Sequence, residues 1–216
     1  MKGKPSLWFL PWALTVAACG PSDELGRLPS TGPVEGSFYV SSYFSPSGHM
    51  GDGAVAGHVF VDINEQCKER PEGANGDCYR FTYDPGQELW AGVYWAYPAN
   101  NWGTRPGKTV IGPYTRVRFY AAVDPSSIIP GDTGVGVDFF AGGIRSMESG
   151  LPFEDNFSRT GKFVSVGTDF QQFTLEFLDQ PSKVIGAFGW ALNYPTMTDP
   201  AMWPTSILYI DDVIWE

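Results

Sequence analysis

The sequence predicts an all-β fold, an antiparallel two-sheet β-sandwich of the jelly-roll type, from three observations. Glycine and proline are abundant, with 26 Gly and 18 Pro, while charged residues make up only 18% of the chain, a composition typical of strands joined by tight turns. Short stretches in which apolar and polar residues alternate recur about every ten to twenty residues, whereas apolar stripes of helical period stay below about two turns. Turn sequences such as DPGQ and RPGK leave no room for crossover helices, which favours antiparallel pairing.

Alternation of side chains defines the predicted strands. In the stretch 116–123, Val117 and Phe119 point to one side, while Arg118 and Tyr120 point to the other, as expected for a strand between core and solvent. The glycine-rich stretch 45–57, SPSGHMGDGAVAG, is predicted as a loop with several glycines at positive φ, because it precedes a strand and lacks the lysine of a phosphate-binding loop. The predicted strands are residues 38–44, 56–63, 78–83, 89–97, 116–123, 134–144, 173–178, 184–192 and 207–215.

The first 18 residues are predicted to be an export signal. Lys2 and Lys4 precede an apolar stretch, residues 7–14, that is too short to span a bilayer. The sequence VAAC that ends at Cys19 resembles the lipobox of bacterial lipoproteins, which implies cleavage before Cys19 and acylation of its thiol. By the same resemblance, Gly20 favours the outer membrane or cell surface. An ordinary signal peptide cut before an unmodified Cys19 is the alternative.

The remaining chain is predicted to form a tether and one domain. Residues 19–36 are rich in proline and glycine and poor in apolar side chains, so we expect a flexible tether. Residues 37–216 form the predicted sandwich domain. Within it, Cys67 and Cys78 are predicted to form a disulfide around a polar loop, as expected in an exported protein. Two unpaired thiols in a metal or redox site are the alternative, although close cysteine spacing and neighbouring histidines are lacking.

The charge of the chain limits its partners. The formal net charge is −10, and removal of the segment that contains Lys2 and Lys4 makes it −12. An acidic surface of this kind repels phosphate backbones and anionic head groups. We therefore expect no nucleic-acid partner, membrane contact through the lipid anchor alone, and a neutral ligand.

Six short stretches resemble the galactose-binding-like jelly rolls that serve as non-catalytic carbohydrate-binding modules. They are GHMGDG, YPANNWG, TRVRFYAAVD, VGVDFFAGGI, VIGAFGWAL and LYIDDVIWE, and the resemblance covers most of residues 37–216. It implies a carbohydrate ligand. The disulfide loop and the connection at residues 193–206 have no counterpart in the pattern.

Independently of the resemblance, the stretch AYPANNWGTR has the composition of a sugar-binding loop. Sugar rings pack their C–H faces on aromatic side chains, and their hydroxyl groups need directed polar partners. Tyr97 and Trp102 supply ring faces, Asn100 and Asn101 supply amides, and Arg105 supplies a guanidinium group. These residues are predicted to bind the glycan. The alternative for each ring is a place in the core.

A second candidate patch consists of Trp190, Tyr194 and Trp203. Trp203 lies in a proline-flanked loop, so we expect it to be exposed and to take part in ligand binding. The alternation in 89–97 places rings on both faces of the strand, and Tyr94 or Trp95 is predicted to be core.

Three carboxylates resemble the structural calcium site of these jelly rolls. Asp52 near the start of the domain and Asp211 and Asp212 in the last strand would supply oxygen ligands to an ion that stabilises the fold. Hydrogen bonds at turns and strand ends, without an ion, are the alternative. Because strand residues alternate, Asp211 and Asp212 can face one site only across a bulge.

Catalysis is not expected from the sequence. Glycoside hydrolysis needs two carboxyl groups that flank the scissile bond, and the candidates Asp138, Glu154, Asp155 and Glu176 form no recognisable pattern. The leading hypothesis is a lipid-anchored protein that binds a polysaccharide without a catalytic cofactor. A protein-interaction module of an outer-membrane assembly and a glycan-acting hydrolase or lyase are the alternatives.

Overall fold

The computed structural model describes residues 32–67, 69–145, 150–193 and 203–216. These residues form two antiparallel sheets that pack face to face, which confirms the predicted all-β sandwich. Short 3₁₀ turns occur at Val40–Ser42, Asp52–Ala54 and Pro125–Ser127. The strands are β1 Val34–Glu35, β2 Phe38–Tyr39, β3 Ser45–Gly51, β4 Val59–Ile63, β5 Cys78–Tyr83, β6 Trp90–Ala96, β7 Lys108–Ile111, β8 Arg116–Val123, β9 Val135–Ala141, β10 Thr160–Val166, β11 Gln171–Glu176, β12 Lys183–Val184, β13 Gly186–Asn193 and β14 Ser206–Trp215.

The chain crosses several times between the two sheets, while β4 and β5, and likewise β9 and β10, pair within one sheet. One sheet has the strand order β10-β9-β13-β6-β3, and the other has the order β11-β8-β14-β5-β4 with β2 beside β14. A small third sheet, β1-β7-β12, contains one parallel pair, in which Val34 lies opposite Val110. This pair is an exception to the predicted antiparallel pairing. It also brings Val34, from the stretch assigned to the tether, into the core.

Aromatic side chains from both sheets fill the space between them. Phe81 on β5 contacts Trp95 on β6 and Trp190 on β13, with ring centroids 5.4 and 5.0 Å apart. Phe119 on β8 meets Phe188 on β13 at 4.7 Å. Each of these rings is fully buried, and burial of one such side chain contributes about 1.5–3 kcal/mol. The inward-facing rings therefore hold the two sheets together.

Strands β7 and β10 lie outside the predicted strands, and two parts near the start of the domain also differ from the sequence prediction. The predicted strand 38–44 ends at Tyr39 and continues as a 3₁₀ turn. The predicted glycine loop contains the edge strand β3, and Gly48 is needed there for close packing, because a Cβ atom at this position would lie 2.9 Å from the Cβ atom of Tyr94. Gly51, at the end of β3, has the expected positive φ of 58°.

The predicted disulfide between Cys67 and Cys78 is confirmed. Within the described residues, no helix has the length and apolar character needed to cross a membrane. The export signal, Cys19, most of the tether and Tyr194 lie outside the described residues. The structure does not test these predictions.

Candidate functional site

The outer face of the five-stranded sheet carries a trough. The strand register places one residue from each strand side by side in the row Phe163, Asp138, Ala191, Gly92 and Met50. The two central residues have the smallest side chains, whereas larger side chains stand at both ends. The methyl group of Met50 lies over Gly92, so the sheet surface is lowest at Ala191.

Two aromatic side chains border this trough. Phe163 is 73% exposed, and its ring covers Gly136, where an added Cβ atom would lie 2.6 Å from the ring. Trp90 stands in the neighbouring row, opposite Asn193, and its indole covers Gly51. The space between the two rings is a groove of about 480 Å³, called here the open groove, lined by Trp90, Asp138, Phe163, Ala191, Leu192 and Asn193.

Polar groups of both charge signs stand at the open groove. Asp138 accepts a hydrogen bond of 2.7 Å from Nη2 of Arg159. The Arg159 guanidinium in turn lies 4.6 Å from the ring centroid of Phe140, which orients it by a cation–π contact. Asn193 is exposed at the end of β13. The open groove thus combines two ring surfaces with a carboxylate and an amide in its lining, and the Arg159 guanidinium stands behind the carboxylate.

The other half of the same outer face is covered. Phe140 and Tyr94 point outward from β9 and β6, yet both are buried. Trp102 meets Tyr94 edge to face at 5.7 Å, and Arg159 lies over Phe140. The Tyr94 hydroxyl donates to the carbonyl of Gly142 at 2.8 Å, and burial raises the pKa of Tyr94. This half is closed by the loop at 97–105 and by residues 142–145 and 150–159. Residues 142–145 and 150–159 are called here the covering segment.

Asp155 holds the covering segment in place. Its buried carboxylate accepts hydrogen bonds from the backbone N–H groups of Ile144 at 2.9 Å, Ile185 at 2.6 Å and Gly186 at 3.2 Å. Burial raises the pKa of Asp155 to about 6, although the backbone donors act in the opposite direction. The covered half therefore depends on a carboxylate that is almost completely buried.

The predicted sugar-binding loop is organised by Asn101. Its amide nitrogen donates to the carbonyls of Tyr97 at 3.0 Å and Arg105 at 2.9 Å. Its amide oxygen accepts from the backbone N–H groups of Gly103 and Arg105, both at 3.1 Å. Asn101 is buried, and its amide is fully engaged in the loop. It shapes the loop and presents no free group to a ligand.

Tyr97 and Arg105 are also occupied by contacts within the protein. The Tyr97 ring lies 6.0 Å from the Phe44 ring and 5.0 Å from Nζ of Lys108, on the side of the core. Arg105 donates to the carbonyl of Ala99 at 3.0 Å. The structure therefore separates Tyr97 from Trp102, which lies on the outer face.

Asn100 and Trp102 are the two predicted residues that the structure brings together in an open space. They line a groove of about 440 Å³ at the β3 edge of the five-stranded sheet, called here the edge groove. Its lining residues are Ser47, His49, Gly53, Ala54, Val55, Ala56, Val59, Asn100 and Trp102.

The second candidate patch is not a surface. Trp190 lies fully in the core, and Trp203 is only 7% exposed, so the predicted exposure of Trp203 is wrong. The segment before β14 packs against the sandwich, and the flanking prolines alone do not indicate this. Tyr194 lies outside the described residues.

The three carboxylates of the predicted calcium site lie apart. Asp52 accepts hydrogen bonds from the hydroxyl of Tyr83 at 2.8 Å and from the N–H groups of Gly86 and Glu88 at 2.9 Å and of Leu89 at 3.0 Å. Burial opposes ionisation, but these bonds prevail and lower the pKa of Asp52. Asp52 is therefore a hydrogen-bonded anchor at one end of β5.

Asp211 and Asp212 of β14 lie at the other end of β5 and hold the disulfide loop. Asp211 lies opposite Cys78 and binds Arg70 through two hydrogen bonds of 2.6 and 2.7 Å. Asp212 accepts from the backbone N–H groups of Asn75 and Gly76. The bulge that would let both acids face one site is present between Asp211 and Ile214, but it serves this loop.

The predicted calcium arrangement is therefore not formed. The two ends of β5, Cys78 and Tyr83, are five residue steps apart, a distance of about 17 Å in an extended strand. In the part of the chain that the structure describes, no group of three or more His, Cys, Asp or Glu side chains could hold a metal ion. The three acids do not fit a shared ion.

Of the four carboxylates considered for hydrolysis, Asp138, Asp155 and Glu176 do not form a pair, and Glu154 lines a pocket together with its neighbour Asp155. Asp138 lies on the five-stranded sheet, whereas Glu176 lies on β11 of the other sheet. Asp155 is enclosed by backbone donors. No two of these three carboxylates face each other across a groove.

The open groove itself was missed by sequence reasoning, although a signal existed. In VGVDFF and GWALN, large inward residues alternate with the small outward residues Gly136, Gly189 and Ala191. Strands of this pattern have outward side chains too small to cover the outer face of the sheet.

Comparison with known proteins finds no matching family model and no matching curated protein. Among solved structures, the enzymatically active domain of tailspike protein 4 of bacteriophage CBA120 is similar over 73% of this chain and 17% of that chain, at 12% identity and a TM-score of 0.41. The family 11 carbohydrate-binding module of the cellulosomal cellulase Lic26A-Cel5E of Clostridium thermocellum is similar over 79% of this chain and 95% of that chain, at 10% identity and a TM-score of 0.38.

A CBM29-2 mutant in complex with mannohexaose covers 73% of this chain and 91% of that chain, at 11% identity and a TM-score of 0.32. At these values the similarity carries no argument about function. The functional conclusion rests on the geometry of the grooves.

Proposed function

We propose that this protein binds a neutral glycan without catalysis, and that the open groove is its principal binding site. The observation that carries this proposal is the pair of aromatic side chains, Phe163 and Trp90, on either side of a floor made of Ala191. A sugar ring placed on this floor has a ring surface beside it and polar partners within reach.

The polar groups of the open groove suit a ligand rich in hydroxyl groups. A hydroxyl donates and accepts hydrogen bonds, so it can pair with the Asp138 carboxylate, the Arg159 guanidinium and the Asn193 amide. The Asp138–Arg159 pair carries no net charge, and the chain as a whole is acidic. Both features favour a neutral glycan over an anionic one.

Native affinity electrophoresis of the purified protein with a panel of neutral and anionic polysaccharides tests this function. We expect retardation by at least one neutral polysaccharide. Phe163→Ala should weaken that binding at least about tenfold, because the phenyl ring on which the sugar packs contributes on the order of 1.5 kcal/mol to binding. Trp90→Ala should have a similar effect.

The matched control is Phe60→Ala. Phe60 is also an exposed phenylalanine, at 52%, but it lies on β4 of the other sheet. Its removal should leave binding unchanged. Absence of retardation by every polysaccharide would reject the function and would favour the protein-interaction hypothesis. Release of reducing ends from a bound polysaccharide would instead support a glycan-acting enzyme.

The proposal includes attachment of the protein to the outer membrane or cell surface through Cys19. A lipid anchor followed by a flexible tether would present the sandwich to glycans near the membrane. Cells that produce the protein should incorporate labelled palmitate into it, and Cys19→Ser should abolish this labelling. Equal labelling of the variant would reject the anchor.

A further inference from the structure

The edge groove has a chemical composition that resembles a second sugar site. Trp102 forms one side, where its indole packs on Gly48 at the outer face. Ser47 and His49 come from β3, and Asn100 comes from the loop at 97–105. The remaining lining residues are Gly53, Ala54, Val55, Ala56 and Val59. At pH 7 every side chain in this lining is neutral, because burial lowers the pKa of His49 and keeps its ring uncharged.

Two polar groups in the edge groove have hydrogen-bonding capacity to spare. The Nδ1 atom of His49 is buried, and within the described part of the chain it has no hydrogen-bond partner. Asn100 is held by its backbone, which donates to Oγ of Ser47 at 2.9 Å, while its side chain is exposed. A buried polar atom without a partner costs about 1–3 kcal/mol. A ligand that pairs with His49 would recover part of this cost.

Both grooves border the five-stranded sheet. The open groove begins at Phe163 on the outermost strand β10, and the edge groove lies along the opposite outermost strand β3. Gly92 and Met50 occupy the same row between them. Four spacings between neighbouring strands correspond to about 19 Å, a distance that a glycan of several sugar residues can cover.

We propose that the edge groove is a second glycan subsite, which binds the same neutral chain that occupies the open groove. This inference rests on the proposed function. Trp102 provides the stacking surface, and His49 and Asn100 bind hydroxyl groups. Because the second contact is intramolecular once the first has formed, occupancy of both grooves raises the affinity for long chains above that for short ones.

Isothermal titration calorimetry with neutral oligosaccharides of increasing length tests this subsite. The probes are the di-, tetra- and hexasaccharides of the glucan, mannan and xylan series. For the wild-type protein we expect the affinity to rise at least about tenfold from the disaccharide to the hexasaccharide. Trp102→Ala and His49→Ala should remove this rise and leave the affinity for the disaccharide unchanged. Phe163→Ala should lower the affinity at every length.

Asn100→Gly tests the effect of losing the side-chain amide without changing the backbone conformation of the loop. Asn100 has a φ of 58°, which glycine adopts without strain, so the variant keeps the backbone and should still reduce the affinity for the hexasaccharide. The matched control is Asn64→Gly, which changes another asparagine at positive φ, 57°, away from both grooves. This control should bind all probes as the wild type does.

The outcomes distinguish the two proposals. If Trp102→Ala, His49→Ala and Asn100→Gly all keep the wild-type affinity at every length, the second subsite is refuted and glycan binding stands. If the wild-type protein binds none of the probes, the proposed function fails and the subsite fails with it.

Discussion

The outer face of the five-stranded sheet has a covered half and an open half, and both halves carry aromatic side chains. In the covered half, Tyr94 and Phe140 are almost completely enclosed, and the Tyr94 hydroxyl binds the backbone of Gly142. In the open half, Phe163 stands in solvent beside Asp138, and the small residue Ala191 follows on the next strand. The same strands supply both halves, so the difference comes from the covering segment and not from the strands.

This comparison shows that outward-facing rings do not by themselves form a binding surface. A ring is available to a ligand only where no other part of the chain already packs on it. The same holds for amides, because Asn101 is saturated by its own loop, whereas the neighbouring Asn100 keeps its amide exposed.

The largest effect is expected from removal of the anchor of the covered half. Asp155→Ala leaves the N–H groups of Ile144, Ile185 and Gly186 without their acceptor. At about 1–3 kcal/mol for each buried group, with partial relaxation, we expect a loss of about 3–5 kcal/mol in the free energy of unfolding at pH 4, measured by urea denaturation. The control Asp138→Ala, which breaks a half-exposed ion pair, should cost less than about 1 kcal/mol.

The stability that Asp155 contributes should depend on pH, and the direction follows from its pKa. The pKa of Asp155 in the folded protein, about 6, lies above the ordinary value of 3.8, so the folded state binds this proton more tightly than the unfolded state. The stabilisation is complete below pH 3.8 and is lost as the pH rises through 6, at up to about 1.4 kcal/mol per pH unit. The cost of Asp155→Ala should therefore shrink between pH 4 and pH 7. A cost that grows with pH over this range would contradict the anchor as described.

A smaller effect is expected from filling the floor of the open half. Ala191→Leu adds a branched side chain between Phe163 and Trp90 without removing any group that contacts a ligand. We expect the affinity for the retained polysaccharide to fall at least about tenfold, equivalent to about 1.4 kcal/mol, with little change in the unfolding midpoint. Ala191→Ser, which keeps the floor low, should bind normally. Unchanged binding by the leucine variant would place the glycan elsewhere.

Much of the sandwich was predictable because strand alternation is a local property. The predicted bounds of β5 and β8 agree with the structure, and those of β6, β9, β13 and β14 differ by at most three residues at an end. The missed strand β10 lies at the edge of its sheet with most of its side chains exposed, so its apolar residues do not stand out from those of a loop.

The candidate site was less predictable than the strands. Trp102 and Asn100 were identified from composition, and they do line a groove. Asn101 and Trp203 were chosen by the same reasoning and are buried, because hydrogen bonds within a loop and packing of a neighbouring segment do not appear in local composition. His49 was not predicted as a site residue, since its place beside Trp102 depends on the pairing of β3 with β6.

By itself the sequence determined the all-β class, the inward and outward sides of its clearest strands, and the pairing of Cys67 with Cys78. These follow from the two-residue period of a strand and from the presence of two cysteines within the domain. Tertiary structure alone decided which strands are neighbours, and so brought Met50, Gly92, Asp138, Phe163 and Ala191 into one row. It also decided which outward rings are covered. Both decisions depend on contacts between residues far apart in the chain, which no local pattern records.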